Sequence, residues 1–285
     1  MPPAALGLLL IAAVLHASWN LLIKRAGSRL IFTYWALVVS MIAVLPALAL
    51  AGLPPARVWL FALASGLGEA VYFFLLTRAY DIEDFSLVYP LARGAAPVFL
   101  LLWAALFLGE RPSAAGLAGI ALLIAGLLLV GGGVWRWRAG KAGFSRAGTL
   151  TALAVALAIS IYTTIDGAAV RFAAPIPYAA LIFSAAAIFI TPLVLVRFGV
   201  HAALAEARAS WPRILLVGML TLTTYVLVLR AYALARVNYA GAIREVSIVF
   251  AAIIGWRWLG ERFGGVRTAG AIVIVAGILV IAVAG

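Results

Sequence analysis

Residues Arg93 to Val130 read RGAAPVFLLLWAALFLGERPSAAGLAGIALLIAGLLLV, and 151 positions later Arg244 to Ile281 read REVSIVFAAIIGWRWLGERFGGVRTAGAIVIVAGILVI. The two stretches align without a gap. Arg93 falls on Arg244, Val98-Phe99 on Val249-Phe250, Leu108-Gly109-Glu110-Arg111 on Leu259-Gly260-Glu261-Arg262, Gly119 on Gly270, and Ala125-Gly126 on Ala276-Gly277. Both copies are apolar and of bilayer-crossing length, so the duplication is one of membrane halves and not of a soluble repeat array.

Composition agrees with the repeat. Hydrophobic residues make up 67% of the chain and charged residues 11%, against about half and about a quarter in soluble domains. The net charge of +12 comes from Lys and Arg in short connections between apolar runs, which is the pattern of a membrane surface and not of a nucleic-acid face. With no cysteine, disulfides, thiolate metal sites and cysteine nucleophiles are excluded.

Ten runs come near the roughly 20 residues that cross the hydrocarbon: Ala4–Ile23, Leu30–Ala51, Val58–Tyr80, Phe85–Leu108, Ala114–Gly133, Leu150–Val170, Tyr178–Val196, Ile214–Ala233, Tyr239–Leu259 and Val266–Ala284. The first lacks a basic leader and continues through Trp19-Asn20 to Lys24 and Arg25, so it reads as a retained span and not a cleaved signal. The expected fold is an all-α membrane protein of ten transmembrane helices. Residues 1–134 form one five-helix repeat, 135–146 the connecting loop, and 147–285 the second repeat. Five spans is an odd number, so the second half enters the membrane from the opposite face. The repeats are therefore inverted about a pseudo-twofold axis in the membrane plane, with a shared site expected near mid-bilayer, an arrangement that points first to a transporter.

Three features carry a family resemblance: His16-Ala17-Ser18-Trp19-Asn20 in the first span, Leu-Gly-Glu-Arg closing the fourth and ninth, and the glycine-rich fifth and tenth. With its five-plus-five layout, the chain resembles the drug/metabolite transporter superfamily in its EamA-type branch, along essentially its whole length. That resemblance implies secondary transport or export of small metabolites, often amino acids including aromatic ones, by alternating access. It also implies cytoplasmic termini. The positive charges are densest after spans 1, 5, 7 and 9, which by the positive-inside rule places both termini outside. Orientation stays open between the two.

Five charges fall within spans: Glu69, Arg93, Asp166, Arg244 and Glu245. Each costs about 2.5–3.5 kcal/mol on insertion scales unless it faces a partner or a wet cavity. Arg93 and Arg244 lie about seven residues into their spans, which at ~1.5 Å per residue puts them roughly 10 Å below opposite faces. Either guanidinium could grip a carboxylate or phosphate. Equally, Arg93 could pair with Glu69, and Glu245 with a neighbouring helix. Tyr89 shares the face of Arg93. His16 and Asn20 are four apart on one face with Trp19 adjoining, and Tyr162 and Asp166 repeat that spacing in the sixth span.

The candidate substrate-binding residues are thus Trp19, Asn20, Tyr89, Arg93, Tyr162 and Arg244, and the candidate proton carriers His16, Glu69, Asp166 and Glu245. An interhelical hydrogen bond is the plainer role for His16, and Asp166 stands close enough to a helix end to reach the interface. Arg78-Ala79-Tyr80 and Arg230-Ala231-Tyr232 read as snorkelling arginines with interfacial tyrosines. Glu110-Arg111 and Glu261-Arg262 read as caps or clamps on short connections. Gly119 and Gly126, like Gly270 and Gly277, are seven apart and form seams through which the fifth and tenth helices meet.

No His-Glu-x-x-His, Walker loop or Gly-x-Ser-x-Gly occurs, so no enzyme, metal site or cofactor is expected. The expected partners are a small-molecule substrate and the lipid bilayer, with no nucleic acid. The chain is expected as a monomer, without excluding a larger assembly, in the inner (plasma) membrane. Three functions are distinguished: an exporter or exchanger of small zwitterionic or anionic metabolites, amino acids first; a transporter or flippase of a phosphorylated sugar or lipid-linked headgroup; and a membrane-embedded enzyme or sensor.

Overall fold

A computed structural model describes residues 1–82, 85–130, 145–250, 253 and 265–284. Among these the chain is all-α. Its helices are α1 (Pro3–Lys24), α2 (Arg29–Ala51), α3 (Ala56–Ile82), α4 (Phe85–Phe107), α5 (Ala114–Val130), α6 (Arg146–Ala169), α7 (Pro175–Leu234), α8 (Val237–Arg244) and α9 (Gly265–Ala284). Large apolar side chains such as Leu60, Leu106, Ile188 and Ile272 point outward, while Ser40, Ser65, Asp166 and Arg93 are buried. A bilayer selects this distribution, because lipid solvates the apolar exterior and every buried polar group needs an internal partner.

The ten expected spans map onto these helices with two differences. The seventh and eighth both lie in α7, a 60-residue run that breaks its helical path only at Gly199 (φ 78°, ψ 161°). That backbone conformation disfavours an L side chain, so glycine lets the chain turn back between two apolar arms. The arms meet again where the Phe183 and Tyr225 rings stand 5.3 Å apart. The ninth span is represented by α8, which stops at Arg244. Most of its continuation lies outside the described residues, as do Glu261-Arg262, the stretch Trp256-Arg257-Trp258, which by sequence reads as an interfacial belt, and nearly all of the 135–146 loop.

Inversion of the halves is visible in the glycine seam. A Cβ added to Gly119 would stand 3.0 Å from Gly277 O, and one added to Gly126 2.7 Å from Gly270 O. Gly270 is the repeat equivalent of Gly119, and Gly277 of Gly126. Each residue therefore touches the equivalent of its partner's position, the reciprocal contact of a twofold axis. The axis passes between α5 and α9, which run antiparallel with backbones in contact. Gly66 of α3 packs in the same way on Ala185 of the first arm of α7, and Gly218 of the second arm on Val39 of α2. The Met1 amino group donates to Ala282 O at 2.9 Å, which brings the two ends of the chain to one face, as an even number of crossings requires.

The Leu-Gly-Glu-Arg connection after α4 is a clamp. Gly109 turns with φ 66°, Arg171 donates to Leu108 O at 3.1 Å, and Arg236 donates to Arg111 O at 3.2 Å. The Glu110 carboxylate accepts from Val237 N at 2.7 Å and Asn238 N at 3.0 Å. It thereby caps α8 of the second repeat from the first, where a negative charge meets unpaired amides and the positive end of the helix dipole.

Gly119→Leu or Gly270→Leu drives a side chain into backbone atoms that cannot yield, and is expected to cost about 2 kcal/mol or more. The measurement is thermal unfolding in detergent. A melting profile equal to wild type for both variants would remove the seam from the scaffold.

Candidate functional site

Glycine contacts and caps set the helices. The charged residues then converge where the repeats face each other. Arg93 of α4 and Glu245 just past α8 form a buried ion pair, with side chains only 2% exposed. Arg93 Nη1 donates to Glu245 Oε2 at 2.9 Å and to Oε1 at 3.2 Å. Its Nη2 meets His16 Nε2 of α1 and the Tyr72 hydroxyl of α3, the latter at 3.4 Å. Because a guanidinium only donates, His16 Nε2 acts as the acceptor and carries no proton in this arrangement. Four spans from both repeats thus meet on one guanidinium. The ion pair of Arg93 is with Glu245, where the sequence offers Glu69 as one alternative, because the crossing of the ninth span brings Glu245 to bonding distance.

The ninth span loses its regular helix at this point. Glu245 N and Val246 N bond back to Ala242 O and Ile243 O, and Ile248 N and Val249 N to Glu245 O and Val246 O, all in i to i−3 register. The tightened turn lies directly after Arg244, eight residues into the span. An interruption of this kind at membrane depth is tolerated where it is buried in protein or lines a cavity.

Arg244 faces Tyr162 and Thr163 of α6. Its Nη2 lies 3.5 Å from the Tyr162 hydroxyl, 3.4 Å from Thr163 Oγ1 and 3.6 Å from Glu245 Oε1, and its guanidinium stands 5.8 Å from the Tyr162 ring centre. These are long contacts, and Arg244 Nε has no partner among the described residues. Arg244 lines a narrow cavity of about 30 Å³ together with His16, Trp19, Glu69, Tyr162 and Tyr225. Glu69 is 4% exposed, and its Oε2 likewise has no partner. An under-bonded cationic side chain and an under-bonded carboxylate therefore share one narrow space with aromatic walls.

The remaining sequence candidates divide. Trp19 packs edge-on against His16, with ring centres 4.5 Å apart, and lines the cavity. Asn20 does not. Its amide donates to His16 O one turn back at 2.9 Å, so it braces its own helix instead of facing the cavity. Asp166 reaches no interface. It is 1% exposed and accepts from the Tyr178 hydroxyl at 2.9 Å and the Tyr225 hydroxyl at 2.5 Å, which ties α6 to both arms of α7. The Tyr89 side chain lies outside the described residues. Arg78 and Arg230 are exposed as snorkelling side chains, but Tyr232 is buried and belongs to the interior, not the interface.

Sequence reasoning passed over Tyr72, Tyr178, Thr221, Thr224 and Tyr225. A signal existed for some of them: Thr221, Thr224 and Tyr225 recur at i, i+3 and i+4 in an apolar span, and Tyr72 lies three residues after Glu69, the spacings of one helix face.

The EamA-like transporter family profile matches residues 3–132 and again 146–283. The chain belongs to the EamA-like transporter family. Its two matched segments correspond to the inverted halves seen in the fold, and it is a membrane protein of the drug/metabolite transporter type. A solved structure described as "Crystal structure of protein" superposes with a TM-score of 0.77 over 100% of both chains at 20% identity, a likeness of fold alone. No curated protein matches the chain.

Arg93→Ala leaves Glu245 buried without its main partner and is expected to destabilise the protein by about 3 kcal/mol or more, with the double variant Arg93→Ala/Glu245→Ala recovering much of the loss. Thermal unfolding of the four proteins in the cycle checks this. A double variant no more stable than Arg93→Ala would show that the pair is not coupled.

Proposed function

We propose that this EamA-family chain is a secondary transporter that exports or exchanges small zwitterionic metabolites, amino acids and among them aromatic ones first, by alternating access at the central cavity. The observation that carries the reading is the presence of Arg244 and Glu69 in the wall of one narrow cavity, each with an unpartnered polar atom. Arg244 binds the substrate carboxylate through a charge-assisted hydrogen bond, and Glu69 accepts from its ammonium. Trp19, Tyr72, Phe73 and Tyr162 line the same space and pack an apolar or aromatic side chain.

Arg93 is a positioning residue in this scheme. Its guanidinium is committed to Glu245, His16 and Tyr72, so one arginine, not two, is offered to the ligand. This favours a carboxylate over a phosphate, since the phosphorylated-substrate reading rests on a pair of arginines. Of the four candidate proton carriers, His16 and Glu245 are engaged with Arg93 and Asp166 with two tyrosines. Glu69 alone among the four presents an unpartnered oxygen, which suits it to exchange a coupling proton as the substrate ammonium arrives and leaves.

A cavity of about 30 Å³ admits a water molecule or two, whereas small-molecule sites run to about 300 Å³ or more. In this conformation the site is too narrow for such a ligand, and in the proposed cycle it widens as the repeats rock open to a face. The membrane proposed is the inner (plasma) membrane, and the working unit a monomer.

Counterflow in proteoliposomes tests the substrate class. Arg244→Gln is expected to weaken amino-acid uptake by about ten- to a hundredfold, the equivalent of ~1.5–3 kcal/mol for a hydrogen bond to a charged group. Amino acids blocked at either charged end should fail to compete. Wild-type counterflow in Arg244→Gln, or equal competition by the blocked compounds, would overturn the zwitterion reading. Glu69→Gln is expected to flatten the pH dependence of uptake, and an unaltered profile would assign proton carriage elsewhere.

A further inference from the structure

A second and larger recess lies on the flank of the molecule. The cleft of about 580 Å³ opens among α3, α4 and α6, with Phe61, Trp103, Phe107, Ile161, Thr164 and Ile165 in its walls. It shares no lining residue with the central cavity. Its helices come from both halves of the chain, so it sits on the seam between the repeats. The polar atoms in its walls are already satisfied: Trp103 Nε1 donates to Ser160 Oγ at 3.1 Å, and Thr164 Oγ1 to Ser160 O at 2.7 Å. A polar solute would find no partner there, whereas a hydrocarbon chain would cover apolar walls.

The rim of the cleft is charged. Leu108 and Ala168 of the lining stand at the ends of α4 and α6, and Phe61 near the start of α3, so the mouth lies at one membrane face. The deep end, at Ile161, is seven residues from Ala168, about 10 Å along the helix. Arg57 precedes Phe61 by one turn and holds its guanidinium 4.6 Å from the Phe172 ring, which in turn packs on Phe61 at 5.2 Å. Arg171 is tethered through its bond to Leu108 O, which uses one of the five N–H donors of a guanidinium. Both arginines are exposed. The Glu110 carboxylate, two residues past Leu108, is turned to the α8 amides and does not neutralise them.

We propose that this cleft is a binding site for an anionic phospholipid, with one acyl chain between α3, α4 and α6 and the phosphate held by Arg57 and Arg171. Tethered guanidiniums at headgroup depth supply charge-assisted bonds to the phosphate, and the apolar cleft beneath them takes the chain. The charge at the rim selects an anionic headgroup over a zwitterionic one. Because the walls belong to both repeats, the bound lipid braces the packing of α3 and α4 on α6, and so acts on the rocking of the halves without entering the central cavity.

The test uses the full chain in detergent, melted with phosphatidylglycerol, with phosphatidylcholine of the same acyl chains, and with inorganic phosphate. Each variant is compared with its own lipid-free melt, so that a change in basal stability cancels. Phosphatidylglycerol should raise the melting temperature beyond phosphatidylcholine in the wild type. Arg57→Gln/Arg171→Gln should remove that excess while keeping the phosphatidylcholine shift, and Thr164→Trp, which fills the cleft, should remove both shifts. Should the double variant fail to purify, Arg57→Gln alone, at an exposed position, should reduce the excess, and native mass spectrometry should show fewer phosphatidylglycerol molecules retained. Equal shifts from the two lipids in the wild type, an excess that survives loss of the arginines, or a shift from inorganic phosphate matching that of phosphatidylglycerol would each overturn the proposal.

Discussion

A charge within hydrocarbon persists only against a partner or a wet cavity, and the contact that meets this demand most fully joins Arg93 to Glu245 across the two repeats. The partners are 152 residues apart in the chain. Bringing them within 2.9 Å requires the fourth and ninth spans to cross at that depth. His16 and Tyr72 add the first and third spans to the same guanidinium, so one cluster holds four spans by directional polar contacts. Lipid exerts no hydrophobic force between helices, which makes such directional polar contacts and close backbone packing the means of specifying the bundle.

With Arg93 and Glu245 engaged, the neighbouring charges take different parts. Arg244 lines the cavity, with long contacts to Tyr162, Thr163 and Glu245. Asp166 is consumed by Tyr178 and Tyr225, which bond α6 to the two arms of α7. Glu69 keeps an unpartnered oxygen. The site and the scaffold are thus drawn from one set of intramembrane charges, and what separates them is how completely each is bonded.

The scaffold has two devices that involve no charge inside the bilayer. The glycine seam lets α5 and α9 approach until backbone meets backbone, and its reciprocal contacts place the pseudo-twofold axis between them. At one face Glu110 caps α8 from the opposite repeat, so the Leu-Gly-Glu-Arg turn ties the end of the fourth span to the start of the ninth. In the proposed transport cycle the motions bend around these points.

Much of this was legible in the residues alone. Apolar length located the spans, the 151-residue offset exposed the duplication, an odd number of spans per half required inversion, and the spacing of Gly119, Gly126, Gly270 and Gly277 marked the helices that touch. These are local or periodic properties, and a bilayer makes them decisive because it restricts the backbone to helices. The pairing of charges was not legible. Glu69 is the nearer carboxylate to Arg93 in the sequence, yet Glu245 bonds it, and Asn20 shares a helical face with His16 yet turns to its own backbone. Nor does any proline or glycine at Glu245 announce the tightened turn. Hydrogen-bond and ion partners between spans depend on crossing angles and axial offsets of a few ångströms, quantities that no single helix encodes and that only the packed bundle decides.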